Sequence, residues 1–258
     1  MKRLVLLLIL MIMALSIVSC DKREGDDGLP TFDEVLEDPD EDFYLILDYS
    51  KNGYSDDSDA LCTLITKRRL EELWINSELV TPYHMSYDND TDRYCYEMIP
   101  LNLDGVLPSG YNEEIAYQLK LQGKTVTGSL LMPAEYFVDV PWFDPAQNFS
   151  LVWTLAEDPK AQDVALSIRD TDSNVYEYYY NMKPTARTYT FNKKLWSDYQ
   201  PAQCLYRLYL EAHNYHKKSG GIIWFISSYY TDQLEYGKKS LHNRRVEKIL
   251  RGEEALPR

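Results

Sequence analysis

The sequence predicts an all-β protein of two tandem β-sandwiches, and three observations lead there. Short runs rich in β-branched and aromatic residues recur along the chain, as half-buried strands require. Turn pairs such as Asn52-Gly53, Asp104-Gly105, Ser109-Gly110 and Gln122-Gly123 separate them. Beyond the first nineteen of its 258 residues the chain is long enough for two domains of roughly 100–150 residues each.

The N-terminus is a different kind of segment. Lys2 and Arg3 precede an almost unbroken apolar run from Leu4 to Val18, and the small Ser19 precedes Cys20. Residues 1–19 therefore read as a secretory signal peptide. The run would make roughly 22 Å of helix against a hydrocarbon core of about 30 Å, too short to span comfortably. Ile17-Val18-Ser19-Cys20 resembles the lipobox of bacterial lipoproteins. The resemblance implies cleavage before Cys20, a diacylglycerol on its thiol, and attachment to a membrane of the cell envelope.

Residues 20–42 follow as an acidic tether. Eleven acids against Lys22 and Arg23 give this stretch nine of the chain's fourteen net negative charges, and it carries few large apolar residues, the composition of a disordered spacer. The balance excludes a basic nucleic-acid groove. An acid-rich stretch after the lipidated cysteine resembles surface-export signals of some Bacteroidetes-type lipoproteins. Asp21 resembles an inner-membrane retention signal of enterobacteria. The two point in opposite directions, with outer membrane or cell surface the expected side.

The first sandwich is expected over residues 43–133. Its strands are Phe43 to Asp48, Ala60 to Ile65, Leu73 to Val80, Arg93 to Ile99, Glu114 to Leu121 and Thr125 to Met132. The second is expected over residues 134–236. Its strands are Phe149 to Leu155, Val164 to Arg169, Val175 to Tyr180, Arg187 to Phe191, Leu205 to Asn214 and Ile222 to Tyr230. Tyr206, Leu208, Leu210 and Ala212 alternate as the F strand of fibronectin type III domains does. Leu151-Val152-Trp153-Thr154 resembles that fold's B strand with its buried tryptophan, and Thr188 to Phe191 with Leu195 resembles the strand and leucine before strand F. The second unit thus resembles fibronectin type III, and the first is expected to be Ig-like. Residues 237–258 carry seven bases against three acids and form a basic tail or short helix, which could dock, bind a partner or stay solvated.

Candidate chemistry is sparse. Asp48, Ser50, Asn52, Asp56 and Asp59 place oxygens at the spacing of a calcium loop, with Gly53 at its sixth position. The stretch resembles a single dockerin repeat, and the competing reading is a hairpin turning at Asn52-Gly53. His213 and His216 would face opposite sides of a strand, with no Cys or Glu read as completing a metal site. Of Cys62, Cys95 and Cys204, the first two could pair, though three small buried hydrophobes are the preferred reading. Among 22 tyrosines, Tyr176, Tyr178, Tyr180, Tyr229 and Tyr230 are candidates for a ligand-binding aromatic face. No nucleophile elbow, P-loop or HExxH motif is present. The expected function is a non-catalytic, lipid-anchored module binding a protein partner at the envelope. The alternative is glycan capture on the Tyr-rich strands. No cofactor other than calcium is expected.

Overall fold

The computed structural model describes residues 41–53, 58–98, 111–141 and 143–231. The signal peptide, Cys20, nearly all of the tether, Asp56 and the basic tail lie outside them. Among the described residues fifteen strands form, in chain order. The first eight are β1 (Phe43–Asn52), β2 (Ser58–Thr66), β3 (Leu70–Ile75), β4 (Glu78–Val80), β5 (His84–Asp88), β6 (Arg93–Met98), β7 (Glu114–Leu121) and β8 (Lys124–Leu131). The other seven are β9 (Phe137–Asp139), β10 (Phe149–Thr154), β11 (Ala161–Asp170), β12 (Val175–Met182), β13 (Thr188–Phe191), β14 (Pro201–Lys218) and β15 (Gly221–Thr231). The all-β expectation holds.

One of the expected strands changes form. The run Leu73 to Val80 breaks into β3 and β4 because Asn76 and Ser77 take φ of 47° and 69°, the paired left-handed turn that suits strand twist. At the end of β14, Ser219 and Gly220 do the same with φ of 53° and 73°. The sequence reading missed β5 and β9, which are five and three residues long.

Strands β1-β2-β6-β5 face β4-β3-β7-β8. In chain order this is the ABED sheet against a CFG sheet with one added strand, the Ig arrangement. Strands β13-β10-β9 face β12-β11-β14-β15, the strand order of fibronectin type III. Trp153 is 1% exposed, and Leu208, Leu210 and Ala212 are fully buried beside it, as the resemblance implied.

The sequence did not show how the two sandwiches join. β15 pairs in parallel with β1, from Gly221 opposite Phe43 to Tyr230 opposite Asn52. One sheet of each sandwich thereby merges into a continuous eight-stranded sheet, β12-β11-β14-β15-β1-β2-β6-β5. The smaller sheets pack side by side on its inner face. β15 serves both cores, giving Ile223 and Phe225 to the first and Tyr229 to the second. The crossing segment is tied down as well. Asn214 Nδ2 donates to Leu131 O at 3.0 Å and Ser227 Oγ to Ala134 O at 3.0 Å. Lys51 of β1 pairs with Glu135, both nearly buried. Breaking such a pair leaves a buried charge, so the junction is fixed rather than hinged.

Candidate functional site

Alternation along a strand gives the merged sheet an outer face, turned away from both small sheets. Asp48 on β1, Asp163 on β11, Glu211 and His213 on β14, and Trp224 and Ser228 on β15 all project there, as their pairing registers require. They meet where the first sandwich joins the second.

His213 is the centre of the group, with 3% exposure. Its Nε2 lies 3.0 Å from Asp163 Oδ2 and 3.8 Å from Glu211 Oε2. The Trp224 indole Nε1 donates to His213 Nδ1 at 3.1 Å. An indole N–H can only donate, so Nδ1 is the acceptor and the neutral ring carries its proton on Nε2, pointed at Asp163. Tyr179 also donates to Asp163 Oδ2. Ser228 Oγ donates to Asp48 Oδ1 at 2.8 Å.

Asp48 and Glu211 are held away from water, and a carboxylate so placed resists ionising. Burial pushes Glu211 from its ordinary 4.5 up to about 7; the charge of His213 opposes this, and Asp48 and Asp163 reinforce it. Burial likewise raises Asp48 from 3.8 to about 6, against the Ser228 hydrogen bond and His213. For His213 burial works against the proton, while the Asp163 hydrogen bond and the charges of Asp163, Glu211 and Asp48 draw it upward on balance. Charging the ring would place an N–H at Nδ1 facing the Trp224 N–H, so protonation sacrifices that hydrogen bond.

Asp163, Glu211 and His213 also have the mutual spacing of a metal triad, with their ligand atoms within 4.8 Å of one another. The indole argues against filling it. A neutral imidazole that binds a metal through Nε2 must carry its proton on Nδ1, where Trp224 donates. The arrangement is better suited to storing protons than to coordinating a cation.

This cluster makes a pH prediction. Between about pH 4 and 7 the folded chain retains protons on Asp48 and Glu211 that the unfolded chain has released. Stability is therefore full below the ordinary carboxylate range and is lost as pH rises through 6 to 7. A raised His213 acts in the same direction. Thermal melts at pH 5, 6.5 and 8 should show Tm falling with pH, and Glu211→Gln should flatten that slope. An unchanged slope in Glu211→Gln would mean the dependence arises elsewhere.

The structure places the sequence candidates as follows. Asp48, Ser50 and Asn52 lie along β1 rather than around a loop, and Ser50 pairs across the ladder with Asp59. Asp56 and the Asp59 side chain fall outside the described residues. The chain turns at Gly53, whose N–H donates to Tyr230 O at 2.8 Å. Tyr176, Tyr178 and Tyr180 sit opposite Ile168, Leu166 and Val164 and face inward. Tyr176 stacks on Tyr199 at 3.9 Å, and Tyr178 and Tyr180 pack on the second core. Tyr229 is 1% exposed and belongs to that core rather than to a surface. Tyr230 lies on the outer face, stacked with Tyr209. Tyr179, which the sequence reading passed over, is the exposed ring of β12 at 53%.

His213 and His216 do face opposite sides: His216 Nε2 meets Tyr117 OH at 2.7 Å on the inner side. Glu211 and Asp163 join His213, which the sequence reading did not see. The local signal was Glu211-Ala212-His213, two positions apart on one face; Asp163 becomes a neighbour only through the β11–β14 register. Cys62 and Cys95 are free thiols. Cys62 opposes Met98 toward the first core, while Cys95 opposes Ile65 on the other face, so a bond between them is geometrically closed. Burial pushes them up to about 12 and about 11, which makes both poor nucleophiles. The Cys204 side chain is outside the described ones.

No family model matches the chain, and no curated protein does. Among solved structures it is similar to the tetra-tandem repeat in the extending region of a large adhesion protein. Identity is 15% and the TM-score 0.20, over 73% of this chain and 49% of that one. The chain thus spans about half the length of that structure, and a likeness this slight carries no argument about what this chain does.

Proposed function

We propose that this chain is a non-catalytic interaction module, lipid-anchored through Cys20 at a bacterial cell envelope, that takes a protein partner along the open edge of its first sandwich. The observation that carries the reading is β5. Among the described residues it is the last strand of the merged sheet, with only β6 beside it, and all five of its residues are exposed. Within the same stretch Leu79, Tyr83, Met85 and Tyr87 are 53%, 58%, 52% and 44% exposed. An edge strand offers unpaired N–H and C=O groups to an added strand, and adjacent apolar side chains supply specificity. Folded proteins usually protect such edges with charge or proline. No helix among the described residues is long and apolar enough to cross a membrane, so attachment in this reading rests on the lipid.

A photocrosslinking residue at Met85 should capture a partner in intact cells, and one at Tyr179 on the opposite edge should not. Tyr83→Asp with Tyr87→Asp, introduced beside the Met85 crosslinker, should abolish capture while leaving the melting temperature close to wild type, since both rings are exposed. Equal capture from both edges, or none from Met85, would remove β5 as the docking edge. Cys20→Ala should release the protein into the soluble fraction; retention in the membrane would end the anchoring reading.

A further inference from the structure

The outer face of the merged sheet is buried more deeply than the described elements explain. Both small sheets lie against the inner face, yet on the outer face Tyr44, Ile46, Ile65 and Ile222 keep 1–3% exposure and Trp224 keeps 6%. β1 opens with five consecutive buried residues, Phe43 to Leu47, and β15 is buried from Gly221 to Tyr229. Continuous apolar runs of this kind belong to strands covered on both faces, whereas a strand with one wet face alternates.

We propose that the basic C-terminal segment, residues 237–258, is the cover for this face, with its apolar residues on Trp224 and its neighbours and its bases against the Asp48–Asp163–Glu211 cluster. Reach supports this. The chain leaves β15 at Thr231, a strand that itself carries Ile222, Trp224 and Ile226, and 27 residues follow. Chemistry supports it as well. The segment holds Leu241, Val246, Ile249 and Leu250 for an apolar surface, and seven bases against three acids for an acidic one. Among the described residues, the groups hydrogen-bonded to Asp48 and Asp163 are Ser228, Tyr179 and His213, none of which is a permanent cation. The other long segments outside the described residues are the N-terminal stretch, whose acidic tether leaves it net negative, and residues 99–110, whose one charged residue is Asp104. Neither is net basic, and like charge directs both away from this cluster.

The test compares the full chain in detergent with a chain ending at Tyr236, reading Trp224 as the difference between each protein and its Trp224→Phe counterpart. Truncation should shift the Trp224 emission to the red and expose it to acrylamide. A synthetic peptide of residues 237–258 should reverse both changes. Reversing Arg244, Arg245 and Lys248 to Glu in that peptide should weaken its binding by at least about tenfold, or about 1.4 kcal/mol. Should the truncated chain fail to fold, the same three reversals in the full chain must produce the red shift. Unchanged quenching on truncation and on charge reversal would overturn the proposal. So would equal binding by the reversed peptide, or restoration by a peptide of residues 21–42. These readouts do not involve β5 or Cys20, so the proposed function and this inference fail independently.

Discussion

Trp153→Ala is expected to cost about 3–5 kcal/mol, on the order of 10 °C in Tm. The indole is 1% exposed at the centre of the second core, and its loss opens a cavity that rigid strands on both sides cannot close. It also breaks a polar contact. Trp153 Nε1 and Tyr136 OH both donate to Gln162 Oε1, at 3.3 and 3.0 Å. The amide nitrogen of Gln162 in turn holds the carbonyls of Lys183 and Ala186 at 3.0 and 3.3 Å. Gln162 thus pins the β12–β13 turn against the core through one buried side chain. Trp153→Phe keeps most of the ring and loses the donor, so about 1 kcal/mol is expected. Urea unfolding of the two variants separates the terms. A Trp153→Ala loss below about 1 kcal/mol would show that this core is not packed as described.

Gly221→Val is the second large effect, and it acts at the seam. A Cβ at Gly221 would lie 2.3 Å from Phe43 Cε1, and the Phe43 ring is fully buried in the first core. Neither strand can withdraw without opening the parallel β1–β15 ladder, so overpacking of about 2–3 kcal/mol is expected. Hydrogen exchange should quicken in both β1 and β15, because the strain falls on the hydrogen bonds that join them. Phe43→Ala makes room at that point, so the double variant should be less destabilised than the two single losses added together. Strict additivity would mean that the Gly221–Phe43 approach is not the cause. Gly53 marks the other end of the same seam, where an added Cβ would meet Tyr229 OH at 2.1 Å.

Much of the fold was legible from the chain itself. Strand positions followed from β-branched and aromatic runs between turn residues, and Glu114–Leu121 forms a strand with the bounds its alternation predicts. The core of the second sandwich was readable from Trp153, Leu208, Leu210 and Ala212. Each of these signals is local, depending on a period of two and on turn chemistry within a few residues. Even the double-sided burial of β1 was present in Phe43-Tyr44-Leu45-Ile46-Leu47, an apolar run without alternation.

The face presented by Val175 to Tyr180 was less legible, because period two says that alternate rings differ without saying which set is inside. The β11–β12 register decides it, placing Tyr178 opposite Leu166 and leaving Tyr179 opposite Ala165 on the outer face. The candidate calcium residues show the same limit. Asp48 and Asn52 fit a ligand spacing in sequence, but an extended strand spreads them along one face. Asp48 instead meets Ser228, which is remote in the chain and adjacent in the sheet.

By itself, the sequence determined the all-β class, the positions of most strands and the resemblance of the second unit to fibronectin type III, because backbone propensity and side-chain alternation are set by near neighbours. Only the tertiary structure decided that β15 closes onto β1, that two sandwiches share one sheet, and that Asp48, Asp163, Glu211 and His213 come together on one face. An edge strand can pair with any compatible edge, and the choice depends on how complete cores fit together across the molecule.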